Sequence, residues 1–176
     1  IVATAAVAKS PADGYTILQN TNGQAISPAI YRTLPFDVVR DFLHERAGKA
    51  DESVLAAFGR VPREIFQYNY ERKGSFANNA YEPFGAAWPI GYGATISEYK
   101  LQCYMTQLCQ PKPTDVVLEI GTGSGFQAAL FSELVKDVYS IEIIEPLGNA
   151  VKKVLAEGGY ENVHVRVGDG FYGWPE

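Results

Sequence analysis

The stretch from Val116 to Gln127, VVLEIGTGSGFQ, constrains the fold more than any other part of the chain. Val116, Val117, Leu118 and Ile120, with Glu119 among them, read as a buried parallel strand. Gly121, Gly123 and Gly125 follow at once, and Phe126, Ala128, Ala129, Leu130, Phe131, Leu134 and Val135 then give the apolar spacing of a helix packed on a sheet. Strand, glycine turn and helix in this order open a nucleotide-type site in an α/β fold. A side chain at the glycines would block both the tight turn and a ligand's approach to the backbone N–H groups at the helix start.

The spacing narrows the ligand. A dinucleotide fingerprint needs glycine at the first, third and sixth positions, and the sixth position counted from Gly121 is Phe126. The loop also lacks the Lys followed by Ser or Thr of a phosphate-binding P-loop. GxGxG leaves a nucleoside ligand without a pyrophosphate, and S-adenosylmethionine fits that description. After the helix, VYSIEI (Val138 to Ile143) reads as the next strand. Glu142, near its end, can accept hydrogen bonds from both hydroxyls of a ribose. The glycine turn alone also admits a blander reading, a tight connection in an ordinary open α/β sheet.

Composition bounds the rest. At 176 residues, 47% hydrophobic and 12% aromatic, the chain can bury one real core, which excludes a disordered segment. A formal net charge of -5 and a pI near 5.1 give no electrostatic footprint for nucleic acid. Cys103 and Cys109 have neither zinc-site nor CxxC spacing and read as buried thiols. With only His44 and His164, no metal centre is expected. No segment approaches the roughly 18 apolar residues of a membrane span. The start, IVATAAVAKS, has neither an initiator Met nor a basic n-region and reads as no complete signal peptide, though it fits the remnant of a longer or processed chain.

Residues 1–42 differ in character from the rest of the chain. Two turn clusters, Pro11-Ala12-Asp13-Gly14 and Asn20-Thr21-Asn22-Gly23, flank a short strand candidate from Tyr15 to Leu18, and Ser27-Pro28 suits a helix start. Asp13, Gly14, Tyr15, Thr16, Leu18, Pro28, Ala29, Tyr31, Leu34, Pro35, Asp37, Asp41 and Phe42 carry a pattern that resembles part of the solute-binding proteins of tripartite tricarboxylate transporters. The resemblance covers about a seventh of such a protein, and it implies a fragment of an extracytoplasmic carboxylate binder.

Beyond residue 42 the chain reads as helices and strands. Asp51-Glu52-Ser53 begins a helix carrying Val54, Leu55 and Phe58, with acids where the helix dipole favours them. Val61 to Phe66 is a second short amphipathic piece, and Gln67 to Glu82 reads as a surface loop or lid. WPIGYGATIS (Trp88 to Ser97) bends at two glycines, and Ser97 then precedes a helix with one apolar face of Leu101, Tyr104, Met105 and Leu108. Ser97 reads either as a plain N-cap or as a hydroxyl that, with free helix N–H groups, binds a substrate carboxylate. Pro146 to Leu155 gives another helix, stopped by Gly158-Gly159. Val163, Val165 and Val167 alternate with His164 and Arg166, as in an edge strand with His164 exposed.

VPREIF, PIGYGATIS, VVLEIGTGSGFQAA, VYSIEII and GDGFYGWPE together follow the order and spacing of the protein-L-isoaspartate O-methyltransferases, from about residue 50 to the end. The resemblance implies a partial Rossmann-like α/β fold: three parallel strands with flanking helices over residues 43–176, preceded by an irregular N-terminal extension at 1–42. It implies S-adenosylmethionine bound by Glu119, Ile120, Gly121, Thr122, Gly123, Ser124, Gly125, Gln127 and Glu142, with Asp169-Gly170 beside the adenine. Ser97 falls at the family's active-site serine, with Thr95 and Ile96 lining the site. The implied reaction is carboxyl methylation of L-isoaspartyl residues in damaged proteins, a cytoplasmic repair activity. Ala94 stands where the family usually has Gln, and Tyr99 where it usually has Pro. The family's next strand pairs beside the glycine-loop strand, so the three strands here are expected to leave an edge open to self-association. Residues 1–42 instead point outside the cytoplasm. The alternatives are therefore a carboxylate-binding fragment there, or an inactive truncated fusion.

Overall fold

The computed structural model describes residues 51–77 and 87–174. The expectations for residues 1–42, for 78–82 of the candidate lid and for the last two residues lie outside them. Helix α1 (Glu52–Arg60) buries Val54, Ala57 and Phe58, one stripe at helical spacing. Leu55 falls off that stripe and is exposed, against expectation. A 3-10 turn (Arg63–Phe66) follows and buries Phe66 together with Arg63, whose charge the amphipathic reading put at the surface.

Two small hairpins come next. Strands β1 (Tyr68–Asn69) and β2 (Gly74–Ser75) pair antiparallel, as do β3 (Trp88–Gly91) and β4 (Ala94–Ile96). The first of them occupies most of the candidate lid, and it is pinned: Gln67 and Asn69 are buried, and the Tyr70 N–H donates to the Ile90 carbonyl at 2.8 Å. Tyr92 and Gly93 turn the second hairpin with φ of 54° and 75°, the two positive values that a two-residue turn between twisted strands demands.

Helix α2 (Tyr99–Leu108) begins one residue later than expected, with Glu98 rather than Ser97 as its N-cap. Its expected apolar face, Leu101, Tyr104, Met105 and Leu108, is only half-buried, whereas Gln102 and Thr106 are buried. Cys103 and Cys109 are likewise half-buried rather than core residues.

Strands β5 (Val116–Ile120), β6 (Asp137–Glu142) and β7 (Val163–Val167) form a parallel sheet in the order β5-β6-β7. Val117 pairs with Val138, and Glu119 with Ser140. Among the described residues β5 has a neighbour on one side only, as expected. At the other edge the His164 ring is half-exposed, stacks on Tyr139 at 4.8 Å and lies 3.4 Å from Asp137 Oδ1.

Helix α3 (Phe126–Ser132) is buried on every side except at its last residue. It ends earlier than the apolar spacing suggests, and the Leu134 and Val135 N–H groups both turn back to the Phe131 carbonyl. Helix α4 (Glu145–Glu157) has Pro146 in its first turn and buries Leu147, Gly148, Val151 and Leu155. The Phe126 ring is the centre of the core, 5.6 Å from Phe66 and 6.0 Å from Phe58 between centroids.

Gly125 joins the glycine turn to α3 at φ +87°, and a Cβ there would lie 2.6 Å from Val151 Cγ1. Gly159, at φ +78°, has no atom within 4 Å of its own would-be Cβ. Gly159→Ala therefore tests backbone strain alone and is expected to cost about 1–2 kcal/mol. Gly125→Ala adds overpacking against α4, for a total of roughly 2–5 kcal/mol. Urea unfolding of the two variants measures the difference, and equal losses would show that α4 yields to the extra methyl.

Candidate functional site

The site gathers at the carboxyl ends of the parallel strands, where ligands enter open α/β sheets. Gly121, Gly123 and Gly125 all carry positive φ, at 94°, 56° and 87°. The loop therefore turns its backbone, not side chains, outward. Gly121 is exposed, and a Cβ on it would meet nothing within 4 Å, so that space is free for a ligand. Gly123 is held from behind, its N–H donating to Glu142 Oε2 at 2.9 Å. The other Glu142 oxygen accepts the Ile144 N–H at 2.9 Å. One buried carboxylate thus fixes both the loop after β5 and the turn after β6.

The side chains between the glycines point inward. Thr122 is 2% exposed, and its Oγ1 lies 2.6 Å from Ser140 Oγ. Ser140 in turn donates to Glu119 Oε2. Glu119 is wholly buried, and its Oε1 has no hydrogen-bond partner among the described residues. Burial pushes its carboxyl up to about 8; the Ser140 hydrogen bond opposes this and the nearby Glu142 charge adds to it. Ser124 Oγ accepts the Phe126 N–H at 3.3 Å, which satisfies a donor in the first turn of α3. Gln127, expected on the ligand side, is 5% exposed and donates from Nε2 to Thr106 Oγ1 in α2 at 2.9 Å. Its side chain therefore faces α2 and not the open loop.

Asp169 and Gly170 reach the same end of the sheet. A Cβ on Gly170 would lie 2.4 Å from Ile120 Cγ2, so glycine lets the segment after β7 close onto the end of β5. Asp169 is exposed and accepts the Phe171 N–H at 2.9 Å, capping a 3-10 turn (Gly170–Tyr172). Ile143 and Phe171, which follow the two acids at this edge, are 67% and 70% exposed. Large apolar side chains so open beside a glycine loop offer faces for a flat ring.

The second hairpin meets the loop from the other side. Ile90 Cδ1 lies 3.8 Å from where a Gly123 Cβ would be, and β3 carries β4 and Ser97 with it. Thr95 and Ser97 are half-buried. Ile96 is 2% exposed and belongs to the core, so its side chain supports the strand instead of lining an open site. Sequence reasoning missed Arg63, Gln102, Thr106 and Ser140. All four are buried polar groups at positions that periodicity assigns to polar faces or leaves unremarked. Among the described residues no cluster of three or more His, Cys, Asp or Glu is arranged to hold a metal. No described helix is long and apolar enough to cross a membrane.

The family model for protein-L-isoaspartate(D-aspartate) O-methyltransferase matches residues 38–176. A protein-L-isoaspartate O-methyltransferase of Opitutus terrae is 48% identical over 126 residues, which are 72% of this chain and 51% of that protein. Protein-L-isoaspartate O-methyltransferase 1 of Nitrosospira multiformis is 43% identical over 152 residues, 86% of this chain and 61% of its own length. A solved structure titled protein-L-isoaspartate O-methyltransferase superposes with a TM-score of 0.59 at 30% identity, over 72% of this chain and 40% of that one. The chain thus spans about half the length of the relatives it matches. With a family match over most of its residues, the chain belongs to the protein-L-isoaspartate(D-aspartate) O-methyltransferase family.

Proposed function

We propose that the chain carries the cofactor half and the acceptor loop of an enzyme that methylates the free carboxylate of L-isoaspartyl residues, using S-adenosylmethionine. The observation that carries this reading is the loop fixed by Glu142 yet open at Gly121. The residues present fit the group. An adenosyl ligand needs close backbone approach, which Gly121 leaves free, and an acid for its sugar. Each Glu142 oxygen accepts one backbone N–H and keeps a lone pair for a ribose hydroxyl. Ile143 and Phe171 supply apolar faces for the adenine, and Asp169 an exposed carboxylate beside it.

When bound, S-adenosylmethionine supplies an electrophilic methyl group on a sulfonium. The acceptor carboxylate has an ordinary pKa near 4 and is already ionised at neutral pH, so no side chain has to remove a proton. What remains for the chain is alignment and exclusion of water, effects worth several kcal/mol. In this reading Ser97 and the first turn of α2 hold the acceptor carboxylate, Thr95 lies beside it, and residues 1–42 form a separate segment. The family match begins at residue 38, close to that boundary, and leaves residues 1–37 outside it. The open edge of β5 is the surface proposed for self-association.

The direct test is transfer of tritium from labelled cofactor to an isoaspartyl peptide; no incorporation by the folded chain overturns the reading, and removal of residues 1–42 should leave incorporation unchanged. Glu142→Ala is expected to weaken binding of S-adenosylhomocysteine by roughly 1–3 kcal/mol, through loss of charge-assisted hydrogen bonds to loop and ligand. Calorimetry measures it, and unchanged affinity would remove Glu142 from the site. For Glu119 the sign follows from its raised pKa. The folded state holds the proton more tightly than the unfolded one, so this group's stabilisation is full below about 4.5 and is lost as pH rises toward about 8. Glu119→Gln should therefore flatten the fall in melting temperature between pH 5 and pH 8. A parallel fall in variant and parent would show that Glu119 does not titrate in that window. Light scattering that gives a single-chain mass at every concentration would refute self-association at β5.

A further inference from the structure

Arg63 is 2% exposed, and its guanidinium reaches three elements at once. Nη1 donates to Gln102 Oε1 in α2 at 2.6 Å, and Nη2 donates to the Ser97 carbonyl at 2.6 Å. The guanidinium carbon lies 4.7 Å from the Phe126 ring centroid and 5.4 Å from that of Tyr99. The polar run continues past α2. Thr106 Oγ1 donates to the Gln102 carbonyl at 2.7 Å and accepts from Gln127 Nε2 at 2.9 Å. Phe126 and Gln127 are the two residues directly after Gly125. Two buried routes, one polar and one through a ring face, therefore run from the backbone of Ser97 to the start of α3.

We infer that Arg63 is a positioning residue, which holds the Ser97 segment in fixed relation to the helix after the glycine loop. What Ser97 binds rests on the proposed methyltransferase function; the positioning does not. Arginine suits the task because its planar fork serves two acceptors in fixed directions while its flat face lies on an aromatic ring. Lysine keeps the charge and loses both properties. The contacts of Arg63 with the Ser97 carbonyl and the Phe126 ring are the ones through which it acts.

Arg63→Lys in the full chain tests this, with Gln102→Met as the second variant if the first does not fold. The local readout is native-state hydrogen exchange at the Gln102 N–H, which donates to the Glu98 carbonyl at 3.0 Å in the first turn of α2. We expect about tenfold faster exchange there, while the Val151 amide in α4 stays within about twofold. For the isoaspartyl peptide we expect KM to rise by about fivefold or more, with the dissociation constant of S-adenosylhomocysteine within about twofold. Equal acceleration at both amides, no acceleration at Gln102, or a cofactor-product affinity that falls in step with KM would each overturn the assignment. Should the unsubstituted chain transfer no methyl group, the proposed function fails by itself. The exchange measurement then decides the role of Arg63: selective acceleration at Gln102 upholds it and its absence overturns it.

Discussion

The hydrogen bond from the Gly123 N–H to Glu142 Oε2 joins the turn after β5 to the turn after β6. Strand pairing ends at Ile120 and Glu142, and past it the Gly121 and Thr122 N–H groups still donate to the Ile141 carbonyl at 2.8 and 3.3 Å. By accepting from Gly123 and from Ile144, the carboxylate fixes both turns relative to each other. Charge-assisted bonds to backbone donors are roughly twice as strong as neutral ones, and this one is largely shielded from water. A loop of three glycines at positive φ gains most from such an anchor, because each glycine loses more backbone freedom on folding than any other residue. The anchor keeps the space over Gly121 open instead of letting the loop collapse into it.

Behind that loop the structure keeps polar groups where apolar ones would pack more cheaply. Glu119, Ser140 and Thr122 form a buried cluster between β5, β6 and the loop, with one carboxyl oxygen left without a partner among the described residues. An orphaned buried polar atom costs about 1–3 kcal/mol, and burial separately raises the pKa of Glu119 by disfavouring its charged form. Destabilisation held directly beneath the glycine loop is the pattern of a candidate site rather than of a core, since an isosteric leucine would remove it.

The glycine-loop side of the candidate site was legible because its signals are local. Strand, glycines, helix and next strand follow within about thirty residues, and the alternation of Val163, Val165 and Val167 marks the third strand without outside help. The Ser97 side was not, because its geometry comes from contacts distant in sequence. Nothing in VPREIF distinguishes an arginine that will be buried from one that will be solvated; that is decided by Gln102 and Ser97, more than thirty residues away. The same contacts turn α2 so that Gln102 and Thr106 face inward and the apolar face stays half-open, against the helical spacing. Gln67 to Phe76 looked like a loop because its strands are two residues each, too short to show a period. Gln127, a ligand contact only by the family resemblance, is pointed at α2 by the first turn of α3.

The departure at Tyr99 shows how this side absorbs change. Tyr99 is the first residue of α2, a place where proline fits because its missing N–H would have no helical partner. Tyrosine gives up that preorganised φ and gains packing. Its ring meets Phe58 edge-on at 5.0 Å and stacks near Phe126 at 6.2 Å, and its hydroxyl donates to the Phe58 carbonyl at 3.3 Å. Such aromatic pairs are worth about 0.5–1.5 kcal/mol beyond area burial, comparable to what the lost proline would supply through the unfolded state. The exchange ties the start of α2 to α1 and α3 through side chains instead of through a constrained backbone. It also brings the ring within 5.4 Å of the Arg63 guanidinium, so the residue that departs from the family pattern packs on the one that holds Ser97. Variation at position 99 therefore reaches Arg63 and Phe126 in parallel, while Glu142 holds the glycine turn from the other side of the loop.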